Sequence, residues 1–163
     1  MDRAEKELII FESVLLLANK LQSLGDKFLQ PFTMKQWFLL TMMSRMEQKN
    51  PTVKEIADYT GTSRQNVKQM LELLEKSGYV EINKSNRDGR ALCVSMTRKC
   101  LQYFNEGGQK GDLLIANLFG AVPEDELDAC LNMLHSLFVS AYALMMRKSM
   151  DACIWTRREW KYP

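Results

Sequence analysis

The sequence predicts a mainly α-helical chain that carries one small β-hairpin. Three observations predict it. Apolar side chains recur at helical spacing over most of the chain, as in Val67, Met70, Leu71 and Leu74. One stretch, residues 80–96, switches instead to period two. Finally, Thr33 with Gln36, Thr52 with Glu55 and Thr62 with Gln65 repeat the capping-box spacing that opens a helix.

The stretch from Thr52 to Thr97 organises the rest. Thr52 caps a short helix and Glu55 reaches back to it, while Val53, Ile56 and Ala57 turn inward. Gly61 follows, where the chain can turn left-handed without steric cost. Thr62 and Gln65 then start a second helix within three or four residues. Such tight helix–glycine turn–helix spacing is the helix-turn-helix signature. Opposite the buried stripe of the second helix lie Gln65, Lys68, Gln69, Glu72 and Lys76, with Asn66 at the edge. Amides and cations at its N-terminal end suit base edges and phosphates. An ordinary solvated helix face would carry the same residues, so the neighbouring elements decide.

Gly78 ends this helix. Val80 and Ile82, then Leu92, Val94 and Met96, alternate with Glu81, Asn83, Cys93 and Ser95. Between the strands runs Lys84-Ser85-Asn86-Arg87-Asp88-Gly89-Arg90, a turn-forming segment with an Asp-Gly pair and three cations. A cationic hairpin tip directly after the helix reads as a second DNA-contacting element. A solvated loop is the plain alternative.

This segment resembles the multiple-antibiotic-resistance regulator (MarR) family of winged-helix transcription factors. Phe32-Thr33 with Gln36-Trp37 resembles the family's approach to its second helix, and Thr52 with Glu55-Ile56-Ala57 the start of its third. Ser63 with Val67, then Leu74-Glu75-Lys76-Ser77-Gly78-Tyr79-Val80, resembles the recognition helix running into the wing. Asp88-Gly89-Arg90-Ala91 before Val94-Ser95-Met96-Thr97 resembles the wing itself. The matches span residues 32–97; the flanks match only in length and helical character. The resemblance implies a winged helix-turn-helix DNA-binding domain over residues 32–97. Dimerisation regions would come from both chain ends: residues 1–31 and residues 98–148, with residues 149–163 as a tail. It implies that Ser63, Arg64, Gln65, Asn66, Lys68, Gln69, Lys84, Arg87 and Arg90 meet DNA, with Asp88 organising the wing through Arg90. The partners implied are a second copy of the chain and a pseudo-palindromic double-stranded operator. A small aromatic or lipophilic ligand would bind between dimer platform and winged helix, near Trp37 and Met42, and release a repressor. No cofactor or metal is implied.

Composition agrees with one domain or a compact pair. The chain has 163 residues, 46% hydrophobic and 26% charged, with net charge +2. Charge is segregated: residues 62–99 hold eight Lys/Arg against four acids, residues 100–140 one against six. That pattern suits a chain of which one part meets phosphate; random clustering is the alternative. We expect no apolar run long enough for a bilayer and no signal sequence. Cys93, Cys100, Cys130 and Cys153 form no CxxC pair, so neither a zinc site nor a disulfide framework is expected. A reducing cytoplasm is the simplest setting.

Outside the central stretch, residues 4–24 predict a helix ended by Gly25. Leu8, Phe11, Leu15 and Ala18 form a stripe that Ile9, Leu16 and Leu17 widen. An intertwined partner or burial within the chain would cover it. A second helix should follow Pro31, with Phe32 and Trp37 as a hydrophobic staple, and run to about Gln48 before Asn50-Pro51. Met42, Met43 and Met46 suit either an adaptable pocket or ordinary core filling. Thr97 should cap a helix reaching about Phe119. Gly107, Gly108 and Gly111 each cost it ~1 kcal/mol relative to Ala, so a kink, break or close helix contact is expected between Asn105 and Asp112. Pro123 opens the last helix, with Glu124, Asp125 and Glu126 complementing its dipole. Its apolar face holds Leu127, Leu131, Leu134, Phe138 and Tyr142. The tail, with Trp155, Trp160, Tyr162 and Arg157-Arg158, is expected to pack on the core or a partner.

An enzyme finds little support. The single histidine, His135, lies in the apolar last helix, and no Gly-rich phosphate loop or metal-ligand cluster is present in the sequence. Cysteine-based redox sensing is a rival reading through Cys93 or Cys100, although no cysteine precedes Cys93. A winged helix used only for protein contact is another, and the cations Lys84, Arg87 and Arg90 argue against it.

Overall fold

The computed structural model describes residues 1–84, 91–107 and 109–146. The chain divides into two compact units, Met1–Asn117 and Leu118–Pro163.

In the first unit, α1 (Arg3–Phe28) starts at Asp2, whose carboxylate accepts the Glu5 N–H at 2.9 Å. It does not stop at Gly25. A Cβ there would sit 2.5 Å from Met34 Sδ and 2.8 Å from Met34 Cβ, so this glycine allows α1 and α2 to approach closely. Next to it, the Asp26 carboxylate accepts the Met34 N–H at 2.7 Å, placing an acid on an orphan donor at the start of α2. Helix α2 (Met34–Arg45) has the expected capping box of Thr33 and Gln36. It ends earlier than expected, because Met46 turns extended at ψ 130°.

Helix α3 (Val53–Thr60) opens on the capping box of Thr52 and Glu55. One carboxylate oxygen of Glu55 accepts both the Thr52 N–H, at 2.7 Å, and its hydroxyl, at 2.8 Å. Gly61 closes α3 at φ 66°, the left-handed conformation the sequence requires of it. The cap of α4 (Arg64–Lys76) is Ser63 and not Thr62: Ser63 Oγ accepts the Asn66 N–H at 3.2 Å. Thr62 is occupied in closing α3, its N–H donating to Ala57 O at 3.2 Å. Strands β1 (Val80–Lys84) and β2 (Leu92–Met96) pair antiparallel, from Val80 with Met96 to Lys84 with Leu92. The outer edge of β2 is tied to the α2–α3 loop, where Val94 N–H donates to Pro51 O at 2.9 Å.

The expected long helix after Thr97 is broken. It comprises α5 (Arg98–Gln102), a π-helical turn over Tyr103–Gly107, and α6 (Gln109–Phe119). Gly111 accounts for one of the glycines: a Cβ would lie 2.5 Å from Trp37 Cζ2, so the indole rests on its backbone. At the π-helical turn, Tyr103 meets Phe32 edge-on, with centroids 4.7 Å apart, and Phe32 meets Tyr79 at 4.6 Å.

The core is the interior of the winged helix. Phe32, Leu39, Leu40, Ile56, Val67, Leu71, Leu74, Val80, Val94 and Cys100 are all buried in one cluster. Helix α1 is different: its stripe residues Leu8, Phe11 and Leu15 stay 57%, 64% and 53% exposed. Within the first unit that stripe is left uncovered. Helices Arg3–Phe28 and Glu124–Met145 are each long and apolar enough to cross a membrane by length and composition, with mean hydropathy 1.3. This corrects the expectation that no run reached that length.

In the second unit, α7 (Glu124–Met146) carries Glu124, Asp125 and Glu126 in its first turn as expected. Leu131 and Phe138 of its predicted apolar face are exposed, Leu127, Leu134 and Tyr142 half-buried. The tail over residues 149–163 lies outside the described residues.

Candidate nucleic-acid interface

Helix α4 is held by one face and presents the other. Val67, Leu71 and Leu74 are buried, whereas Ser63, Arg64, Gln65, Asn66, Lys68 and Gln69 are all exposed. Six of the residues singled out from the sequence thus share the outward side of the helix's N-terminal half. The first turn holds no acid, so its unpaired N–H groups and the positive end of the dipole favour an anion. Lys68 lies 3.7 Å from Glu72, with both side chains more than half exposed. Such a surface pair is worth little and leaves the ammonium free to turn to phosphate.

The wing stem projects from the end of this helix, with Asn83 and Lys84 exposed at the far end of β1. Arg87, Asp88 and Arg90 lie outside the described residues. Between the stem, the start of α3 and the α2–α3 loop is an open cleft of about 1320 Å³. Lys49, Lys54, Arg64 and Lys84 line it, along with Glu47 and Glu55. Lys49 and Lys54 were missed from sequence. Their signal was available: a cation just before and just inside a capped helix start, beside the Asn50-Pro51 break. Conversely, Lys99 counted toward the basic segment yet serves the protein. Its Nζ donates to Ser77 O at 2.7 Å and stands 4.3 Å over the Tyr79 ring, at the C-terminal end of α4.

The remaining candidates do not converge. Trp37 packs on the core and on Gly111; Met42, five residues on, points roughly 140° round α2. Cys100 is fully buried, and burial pushes its thiol up to about 11, so it is unreactive at neutral pH. Cys93 is half-buried in the cleft wall, and Cys130 is exposed on α7. Burial first, and the neighbouring Tyr79 second, raise the Tyr103 hydroxyl above its usual range.

Residues 31–91, which contain the helix-turn-helix and the first strand of the wing, match the model of the MarR family. Over this segment the chain is similar to the MarR family. Among curated relatives, the transcriptional activatory protein BadR of Rhodopseudomonas palustris is 32% identical over 84 residues, 50% of this chain and 48% of BadR. The transcriptional repressor MprA of Escherichia coli K12 is 23% identical over 103 residues, 62% of this chain and 58% of MprA. The chain thus spans about half the length of the curated relatives it matches. In fold, it is similar to Sco3205, a MarR family transcriptional regulator from Streptomyces coelicolor solved in complex with DNA. The TM-score is 0.75 at 16% identity, over 83% of this chain and 91% of that one. The matched segment is thus similar in sequence to transcriptional regulators, and the fold is similar to that of Sco3205.

Proposed function

We propose that this chain is a MarR-family regulator of transcription, a homodimer that binds a pseudo-palindromic duplex through α4 and the wing. The observation that carries the reading is the exposed row Arg64, Gln65, Asn66, Lys68 and Gln69 on a helix whose other face is locked into the core. Lys84 on the wing stem extends the same chemistry. Sco3205 supports it as a protein of like fold solved with DNA. The exposed apolar side chains of α1, and separately those of α7, support a second copy as the partner that covers them. Two recognition helices related by a two-fold axis then favour half-site centres ~10 bp apart. Repression is the finer part of the proposal, and the relatives BadR and MprA carry opposite descriptions, activator and repressor. Release by a small aromatic or lipophilic ligand rests on the family resemblance. Since Trp37 and Met42 face different ways, such a ligand would meet one of them and not both. A cytoplasmic setting belongs to the same reading.

The helix row separates into two roles under substitution. Gln69→Ala should cost ~1–3 kcal/mol on the best site and relax preference at one position per half-site, because an amide pairs bidentately with adenine. Lys68→Ala should weaken binding to all sequences alike and make the salt slope shallower by ~1. Site-selection profiles and salt titrations of both variants decide this. Identical profiles, or no change in either variant, would show that this face does not read DNA.

A further inference from the structure

Glu75, in the last turn of α4, reaches across to the wing: its Oε1 accepts the N–H of Ile82 on β1 at 2.9 Å. The strand register explains why that amide is available. Ile82 pairs with Val94, and the Val94 N–H leaves the ladder for Pro51 O. In an antiparallel ladder such a pair exchanges no bonds with each other, so both amides point to the outer edges. The hairpin is therefore tied on each edge. Backbone holds β2 to the α2–α3 loop, and a side chain of the recognition helix holds β1. Without Glu75 the Ile82 amide would turn to water, and β1 would keep only its pairing with β2 and the seats of Val80 and Ile82.

We propose that Glu75 is a positioning residue that sets the stance of β1, and of Lys84 at its end, against the recognition helix. This rests on the DNA-binding reading given above. The bond is charge-assisted, which makes it stronger than a neutral one. The acid's sign makes the role testable. A carboxylate on a DNA-binding surface opposes phosphate, so charge alone predicts that removing it helps binding. Positioning predicts the reverse for a substitution that also removes the acceptor.

The full-length wild type, Glu75→Gln and Glu75→Ala are titrated into a duplex selected by the wild type and into an unrelated duplex, across a range of salt. Glutamine keeps an acceptor oxygen and loses the charge. Glu75→Ala should bind the selected duplex about tenfold more weakly, with a salt slope shallower by ~1 for the misplaced Lys84 contact. Glu75→Gln should bind at least as tightly as wild type, with the wild-type slope. Amide exchange at Ile82, read by NMR without DNA, should quicken in Glu75→Ala alone, and thermal unfolding should show all three chains folded. If both variants bind as well as wild type, or both weaken equally with unchanged slope, Glu75 does not position the wing. A wild type that binds neither duplex overturns the DNA-binding reading itself, a failure visible before any variant is compared.

Discussion

Replacing Leu71 by alanine should lower the unfolding free energy of the winged-helix unit by about 2–5 kcal/mol. Leu71 is fully buried at the middle of α4, in the cluster shared with Ile56, Val67 and Leu74. Truncation removes apolar atoms and leaves a cavity that neighbours on α3 and β1, anchored by their own caps and pairing, can fill only in part. Against a typical total of ~5–15 kcal/mol, that is a large share. Leu73, two residues on, is the control. It is 57% exposed, and Leu73→Ala should stay within ~0.5 kcal/mol of wild type. Urea denaturation of the three chains measures both. A loss below ~1 kcal/mol at Leu71, or an equal loss at Leu73, would contradict the assignment of buried and outward faces on α4.

The second large effect concerns α1. Leu8, Phe11 and Leu15 are apolar and mostly exposed, and full burial of each would contribute ~1.5–3 kcal/mol. A two-fold interface counts every such residue twice. Leu15→Glu would place two carboxylates in that seam without partners, which low-dielectric burial penalises heavily. The dimer dissociation constant should rise at least ~100-fold, since 2.7 kcal/mol corresponds to that factor. Sedimentation should then show the wild type at twice the 18.9 kDa chain and the variant at one chain mass. Operator affinity should fall with it, because a monomer reads one half-site. A wild type that sediments as a monomer, or that partitions into membranes as the length and hydropathy of α1 and α7 would allow, contradicts this use of the two helices.

Much of the winged helix was legible because its signals are local. The capping boxes at Thr33 and Thr52, the left-handed turn at Gly61 and the switch to period two at Val80 each depend on residues within a few positions of one another. What depends on distant neighbours was not legible. Gly25 reads as a helix stop, and only Met34 on the next helix shows that it is a crossing point. Among the three glycines near position 110, the partner of Gly111 is Trp37, more than seventy residues earlier. Thr62 and Ser63 are equivalent caps by residue type, and the bond from Thr62 N–H to Ala57 O leaves the role to Ser63. At the site, the outward helix face followed from 100° periodicity, whereas Lys49 and Lys54 join Lys84 only through the folded cleft. Lys99 shows the opposite error of a charge count, a cation spent on the end of α4 and on Tyr79. Glu75 needed the strand register before its partner could be seen.

Selection of bound duplexes from a random pool, using the full-length chain, tests the central claim most directly. The account predicts enrichment of a pseudo-palindrome with half-site centres ~10 bp apart, and binding that weakens steeply with salt. Recovery of a pool without any shared sequence, or no retention of duplex DNA at low salt, would contradict it.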